Sequence, residues 1–326
     1  MKLKSHLGLA AIVISILVAQ ETRVQAQPFP NHPVRLIVAF SAGGSVDALG
    51  RILAQKLGEY WGQQVAVENR TGALGNIGAI AAAHSAPDGY TLHLATQSVA
   101  VNGTLTPTTD FDPIRDLEPV ILVATAQDIL IVPPTSQFKT VQELIAYAKA
   151  NPHKLTYGTL GTSSSGNMAV AVFCELNGRL EMRQVAYSQS SQLTTDVMSN
   201  RIDVFFPTTG AHVGNVVSGR ERALGVSGPT RAKQLPNIPT FAESGVNYPD
   251  ATSWYAIFAP KGTPKEIVKK INADIQHVLA LPDVRSLEDK LGFITIGGPP
   301  EKLATYLQSE IKRWAVIAKD PLFEGK

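Results

Sequence analysis

Cysteine is nearly missing: Cys174 is the one example in 326 residues. An intrachain disulfide is therefore excluded, and so is a lipid-anchoring cysteine beside an N-terminal export signal. Cys174 itself reads as a small core hydrophobe. Blocks of like charge are also missing. Without a run of Lys or Arg the chain offers no electrostatic footprint for nucleic acid or for an anionic membrane surface. Catalytic signatures are equally scarce. His32, His84, His93, His153, His212 and His277 are scattered, and none stands in H-E-x-x-H or another compact metal-ligand spacing. That assigns them to surface or core and gives no reason to expect a metal. Gly72, Gly75 and Gly78 do not make the dinucleotide G-x-G-x-x-G pattern, and a Walker loop is lacking, so no cofactor is expected.

What is present begins with an export signal. Lys2 and Lys4 precede an apolar run from Leu7 to Ala19, and a polar stretch then ends in Val24, Gln25 and Ala26. The run falls short of the roughly 20 residues a bilayer-spanning helix needs, and small residues at 24 and 26 suit signal peptidase. The expected signal peptide is 1–26, and the expected location of the mature chain is the periplasm. From totals of 29 Lys+Arg and 27 Asp+Glu, the leader removes Lys2, Lys4, Arg23 and Glu21, leaving 26 of each and a neutral mature protein. No later segment is apolar enough to cross a membrane. With 44% apolar composition, the rest can bury a large core, and chains of roughly 300 residues usually divide into two lobes.

Short runs rich in Val and Ile alternate with helical patterns, which predicts an α/β architecture of parallel strands joined by crossover helices. Strand candidates are Val34 to Phe40, Val65 to Glu68, Tyr90 to Thr96, Val120 to Thr125, Asp128 to Val132, Leu155 to Tyr157, Met182 to Ala186, Ile202 to Phe206, Ala223 to Val226 and Trp254 to Ala259. Thr140 with Glu143 forms a capping box, and Thr263-Pro264 predicts a cap and an N1 proline before a helix reaching Leu279. Leu303, Leu307, Trp314 and Ile317 give a last helix, about Pro300 to Lys319, an apolar stripe at helical spacing. Pro133 and Pro134, and the irregular stretch Pro229 to Pro249, suggest where the chain changes lobes. The expected division is 27–127 plus 250–326 against 128–249, with hinges near Pro133 and Pro249 and a ligand cleft between the lobes.

Two strand-to-helix turns have the chemistry of anion cradles. In VAFSAGGSVD, residues 38–47, Gly43 and Gly44 let backbone approach a ligand, Ser41 and Ser45 add hydroxyls, and the N–H groups of the helix start favour negative charge. Asp47 in the first turn either complements the helix dipole or orients the loop, a water or a polar group of the ligand. In LTYGTLGTSSSGN, residues 155–167, a strand again empties into small and hydroxylated residues before an apolar helix. One of Ser163, Ser164 and Ser165 can simply cap that helix. Neither cradle contains an arginine, so a carboxylate would be held by N–H groups, hydroxyls and bridging waters.

The strings VAFSAGGSVD, VENRTGALGNIGA, APDGYTLHLAT, FDPIRDLEPV, LPNIPTFAESG and SWYAIFAPKGTP occur in an order that resembles the Bug family of extracytoplasmic solute receptors, the binding components of tripartite tricarboxylate transporters. The resemblance implies a two-domain periplasmic binding protein fold of the "Venus flytrap", type II-like kind, holding a small carboxylate in an interdomain cleft. It assigns the ligand to Phe40, Ser41, Ala42, Gly43, Gly44 and Asp47, to Thr96, Gln97 and Ser98, to Gly161, Thr162, Ser163, Ser164 and Ser165, and to Tyr187, Ser188, Pro207 and Thr208. Departures from the family pattern cluster in the second lobe. The family's Pro-Tyr-Lys-Gly turn reads Ala186, Tyr187, Ser188, Gln189, and Pro207 replaces a frequent aspartate, which argues against an amino-acid ligand. The implied partners are the carboxylate and membrane subunits of a transporter, with the chain itself a monomer and not an enzyme. A ligand sensor or adaptor built on the same fold is the alternative. A hydrolase is disfavoured because G-T-S-S-S at 161–165 misses the last glycine of a G-x-S-x-G elbow.

Overall fold

The computed structural model describes residues 29–40, 42–105, 111–160, 164–248 and 253–317. Met1–Asn31 and His32–Lys326 form separate compact units, and among the described residues the strands and helices belong to the second. The expected leader, 1–26, lies outside the described residues.

Chain order begins β1 (Val34–Val38), α1 (Ser45–Trp61), β2 (Val65–Asn69), α2 (Asn76–Ala83), β3 (Thr91–Thr96), α3 (Ser98–Leu105), α4 (Pro113–Asp116) and β4 (Leu117–Ala126). It continues with β5 (Ile129–Val132), α5 (Val141–Ala150), β6 (Thr156–Thr159), α6 (Ser165–Leu176), β7 (Arg183–Ala186), α7 (Ser190–Met198), β8 (Val204–Phe205), α8 (Val213–Val217) and β9 (Arg222–Val226). The last elements are β10 (Ser253–Pro260), α9 (Lys265–Leu279), α10 (Pro282–Leu291), β11 (Phe293–Thr295) and α11 (Pro300–Ile317).

Two sheets result, one ordered β11-β4-β10-β3-β1-β2 and the other β7-β6-β8-β5-β9. Strands covered on both faces read as continuous apolar runs, and β3 and β10 are buried along their whole length. The expectation of parallel strands holds for β2-β1-β3 and for β7-β6-β8. It fails for β10, which lies antiparallel between β3 and β4, and for β5, antiparallel between β8 and β9. Strand β11 is antiparallel to β4 as well, whereas β5 and β10 share one cause. Each is the first strand after the chain changes sheet, so it enters from the opposite end to strands fed by a crossover helix.

Those changes of sheet are sharply placed. Ala126 ends β4 in the first sheet and Ile129 opens β5 in the second, so Gln127 and Asp128 make the outward crossing. The return lies between Val226 and Ser253. Pro133, expected near a hinge, instead follows β5 within the second sheet, where a residue without an N–H ends the ladder; Pro249 lies outside the described residues.

Helix starts follow local chemistry. Thr140 and Glu143 close the capping box on α5. Thr263 does not cap α9: its hydroxyl donates to the Pro260 carbonyl at 2.7 Å, and Pro264 occupies the cap position. A residue before proline is pushed towards extended backbone, which delays the helix start. In α11 the foreseen stripe is buried at Leu303, Leu307 and Trp314. Helix α10 and the short β11 were not foreseen; α10 buries few apolar groups, Val284 among them.

Helix α6 has the greatest consequence for the site. Every residue from Gly166 to Cys174 is buried. Ala169, Val170, Phe173 and Cys174 join the core of the second sheet, whereas Met168, Ala171 and Val172 join Trp254, Leu303 and Trp314 in the core of the first. A helix that is apolar all round belongs between two layers. Among the described residues no helix is long and apolar enough to cross a membrane.

Candidate functional site

The first loop is organised by one carboxylate. Asp47 is buried, in the first turn of α1, and accepts the Gly43 N–H at 2.9 Å, Arg51 Nε at 2.8 Å and the Asn69 amide at 2.9 Å. The same Asn69 amide donates to the Phe40 carbonyl at 2.9 Å, so the end of β2 ties down both ends of the turn. Gly43 has φ +87°, a left-handed conformation that favours glycine, which lets its N–H fold back onto Asp47. Hydrogen bonds from Arg51 first, then from Gly43 and Asn69, outweigh burial and hold the Asp47 carboxyl down to about 2.

From the first turn of α1, Asp47 braces the loop. It also narrows the cradle, because the Gly43 N–H is already taken. What remains are the first-turn N–H groups of α1, which helix geometry leaves without intrahelical acceptors, beside the exposed Gly44 and Ser45. Ala42 is exposed and Phe40 half-buried; Ser41 lies outside the described residues. The count of arginines in the loop sequence missed Arg51, one turn along α1, whose charge is committed to Asp47.

The end of β3 stands next to this loop. Thr96, Gln97 and Ser98 are all buried, with Thr96 Oγ1 and Ser98 Oγ 3.0 Å apart. Gly75, at φ +90°, brings the β2–α2 connection so close that a Cβ there would stand 3.1 Å from Ser98 Oγ and 3.7 Å from the Phe40 ring. Beneath them Tyr255 of β10 pairs with Thr96 in the ladder, and its phenol is buried. Burial, more than the nearby Asp128, pushes that phenol up. Deeper in the sheet His93 Nδ1 meets the Ile37 carbonyl at 3.1 Å, and burial brings its imidazole down to about 4, so it sits neutral in the core.

The second loop is built from neutral groups. Ser164 caps α6 by accepting the Asn167 N–H at 3.2 Å, and its hydroxyl meets Thr159 Oγ1 at 2.8 Å. Buried Asn167 accepts from Tyr157 at 3.2 Å and from Gln184 at 2.9 Å. Ser165 opens α6 and is half-buried, while Gly161, Thr162 and Ser163 lie outside the described residues. The capping reading therefore applies to Ser164. Tyr187 donates to Asp196 at 2.8 Å and is half-buried; Ser188 beside it is exposed. Pro207 is buried with its carbonyl taken by the Ile129 N–H at 2.9 Å, and Thr208 bridges to Asp128. The residues assigned from sequence thus fall into three groups: loop ends of β1 and β3 on the first sheet, loop ends of β6 and β7 on the second, and the 207–208 segment at the crossing. Asn69, Arg51, Tyr255 and Asp128 were missed, because each acts through a partner distant in sequence.

Among the described residues no group of three or more His, Cys, Asp or Glu side chains could hold a metal ion.

Comparison with known proteins fits this geometry. The chain is 32% identical over 301 residues to protein BugT of Bordetella pertussis, covering 91% of each. Among solved structures it resembles the periplasmic binding protein BugD (TM-score 0.77, 28% identity, 89% of this chain and 98% of that one). An R. palustris protein solved with adipate matches at TM-score 0.78 and 32% identity over 90% of this chain and 98% of that one. MatC from Rhodopseudomonas palustris, with bound malate, matches at TM-score 0.77 and 26% identity over 89% of this chain and all 100% of that one. These likenesses agree with a two-domain α/β fold of the periplasmic binding class and with the Bug-type resemblance of the sequence. Residues 49–321 match the model of the tripartite tricarboxylate transporter family receptor, and the chain belongs to that family.

Proposed function

We propose that this chain is a periplasmic solute receptor that captures a small carboxylate between its two sheet-bearing halves and presents it to the membrane subunits of a tripartite tricarboxylate-type transporter. The observation that carries the reading is the start of α1. Exposed Gly44 and Ser45 lead into first-turn N–H groups with no intrahelical acceptor, on a loop that Asp47 and Asn69 hold in shape. Support comes from family relatives solved with adipate and with malate.

The carboxylate is held by dipoles rather than by an ion pair, since Arg51 is engaged by Asp47. From the second half, Ser165 at the start of α6 offers its hydroxyl to the same guest, and Ser188 and Thr208 offer neutral polar contacts to its far end. The site binds and releases without covalent chemistry. Ser164 has its hydroxyl engaged by Thr159 and by the Asn167 N–H; Ser163, which stands at the elbow position of G-T-S-S-S, lies outside the described residues.

A thermal-shift screen of the mature protein against mono-, di- and tricarboxylates, aromatic acids and amino acids tests the proposal. A ligand at 100 times its Kd should add roughly 2.7 kcal/mol of stability. Adipate or a related di-acid is expected among the hits and cationic amino acids are not; tight binding of a cationic amino acid, or silence from every acid, would contradict the reading.

A further inference from the structure

Besides the two crossings, the halves meet at a point where backbone rests directly on backbone. Gly210 lies in the 3₁₀ turn Thr209–Ala211, between β8 and β9 of the second sheet. Gly292 ends α10 and leads into β11 of the first sheet. A Cβ on Gly210 would overlap the Leu291 carbonyl and stand 2.6 Å from the Gly292 N. One on Gly292 would stand 2.6 Å from the Gly210 N and 2.7 Å from its Cα. Gly292 has φ +72°, so its left-handed helix cap accounts for glycine without the contact. Gly210 has no left-handed φ, and glycine in a helical turn costs backbone entropy that alanine would save. What its missing Cβ permits is the close approach.

The contact is laced to the outward crossing from both sides. Thr209 gives its N–H and its hydroxyl to the Gln127 carbonyl, at 2.8 and 2.9 Å. Phe293, next to Gly292, pairs with Ala126, the last residue of β4. Backbone packed on backbone has no rotamer with which to yield, and a contact beside the turning point moves least when the rest rotates. Farther along α10 the halves meet through side chains able to swing. The Gln234 amide donates to the Asp289 carbonyl at 2.6 Å, and Lys233 lies 3.6 Å from the Asp289 carboxylate.

We propose that Gly210, seated on Leu291 and Gly292, is the stop that sets the angle between the two halves. It is a positioning residue: the bulk at 210 and 292 fixes how far the sheets turn about 126–127, and with it the opening between them. The inference holds whatever solute is captured, so it stands or falls apart from the carboxylate reading.

The test reads the distance between halves in the ligand-free mature protein. Spin labels go at Lys149→Cys on α5 and Glu301→Cys on α11, both exposed, with Cys174 buried out of reach. Double electron–electron resonance on Gly210→Ala is expected to show one peak displaced from wild type by more than about 2 Å. Gly214→Ala, where a Cβ meets nothing within 4 Å, should leave the peak in place. Gly292→Asn is the reciprocal wedge, since asparagine tolerates a left-handed φ. Its matched control is Gly62→Asn, at the left-handed cap of α1 with nothing within 4 Å of a Cβ. The peak should move for the first of this pair and stay for the second. Should Gly210→Ala fail to fold, the asparagine pair decides. An unmoved peak, a peak that broadens without moving, or an equal shift in the matched control would overturn the proposal, even with a lowered melting temperature.

Discussion

The loops after β1 and after β6 hold corresponding places in the two sheets, yet they are braced by different chemistry. The first is folded around an ionised carboxylate with three donors, one of them a guanidinium. The second is folded around neutral hydroxyls and amides, with Ser164, Thr159, Asn167 and Tyr157 bonding one another. Charge-assisted hydrogen bonds are roughly twice as strong as neutral ones, so the first loop is the more strongly braced and the one whose bracing depends on pH. The described end of the second, Ser164, leads into α6, which is wedged between both cores.

The largest expected effect separates the halves by acid. His93 beneath the first loop titrates near 4 in the folded chain against an ordinary value of 6.5. Its depressed value means that the unfolded chain takes up the proton first, so stability is full above pH 6.5 and declines as pH falls towards 4. The loss should reach about 3 kcal/mol in urea unfolding and be much smaller in His93→Gln. Next is Asp47, held down to about 2. Its contribution is complete above its unfolded value near 4 and disappears as pH falls through 2, a window below that of His93. Asp47→Ala at neutral pH should cost about 2 kcal/mol, because buried donors lose their acceptor. In the second loop Ser164→Ala should cost only about 1 kcal/mol, the size of a lost cap, with no acid dependence of its own. Smallest is Arg51→Met. The side chain is 55% exposed, so solvent screens its ion pair and its removal should cost less than either of the other changes. Equal costs for Asp47→Ala and Ser164→Ala would erase the contrast between the loops.

Much of the fold was legible because strand burial leaves a local mark. Runs such as VRLIV and SWYAIFAP are buried along most or all of their length, and the elements they announced begin within a few residues of their expected bounds. Strand direction left no such mark. The antiparallel setting of β5 and β10 follows from the route of the chain between sheets, and Gln127-Asp128 carries no proline or glycine to flag a crossing. The site was legible to the same degree. Gly43 and Gly44 before a helix announced a cradle, but whether Asp47 served ligand or loop depended on Asn69, at the end of another strand. Tyr255 lay within a quoted string and was still missed, since its meaning comes from pairing with Thr96 across the sheet.

The most direct test of the central claim is the affinity of adipate for the Gly44→Val variant, measured by titration calorimetry beside wild type. Gly44 has φ −80°, so valine strains no backbone and adds only bulk where the carboxylate is proposed to meet the start of α1. At least a tenfold loss of affinity with the fold intact is expected, about 1.4 kcal/mol. Unchanged affinity would place the ligand elsewhere and contradict the account.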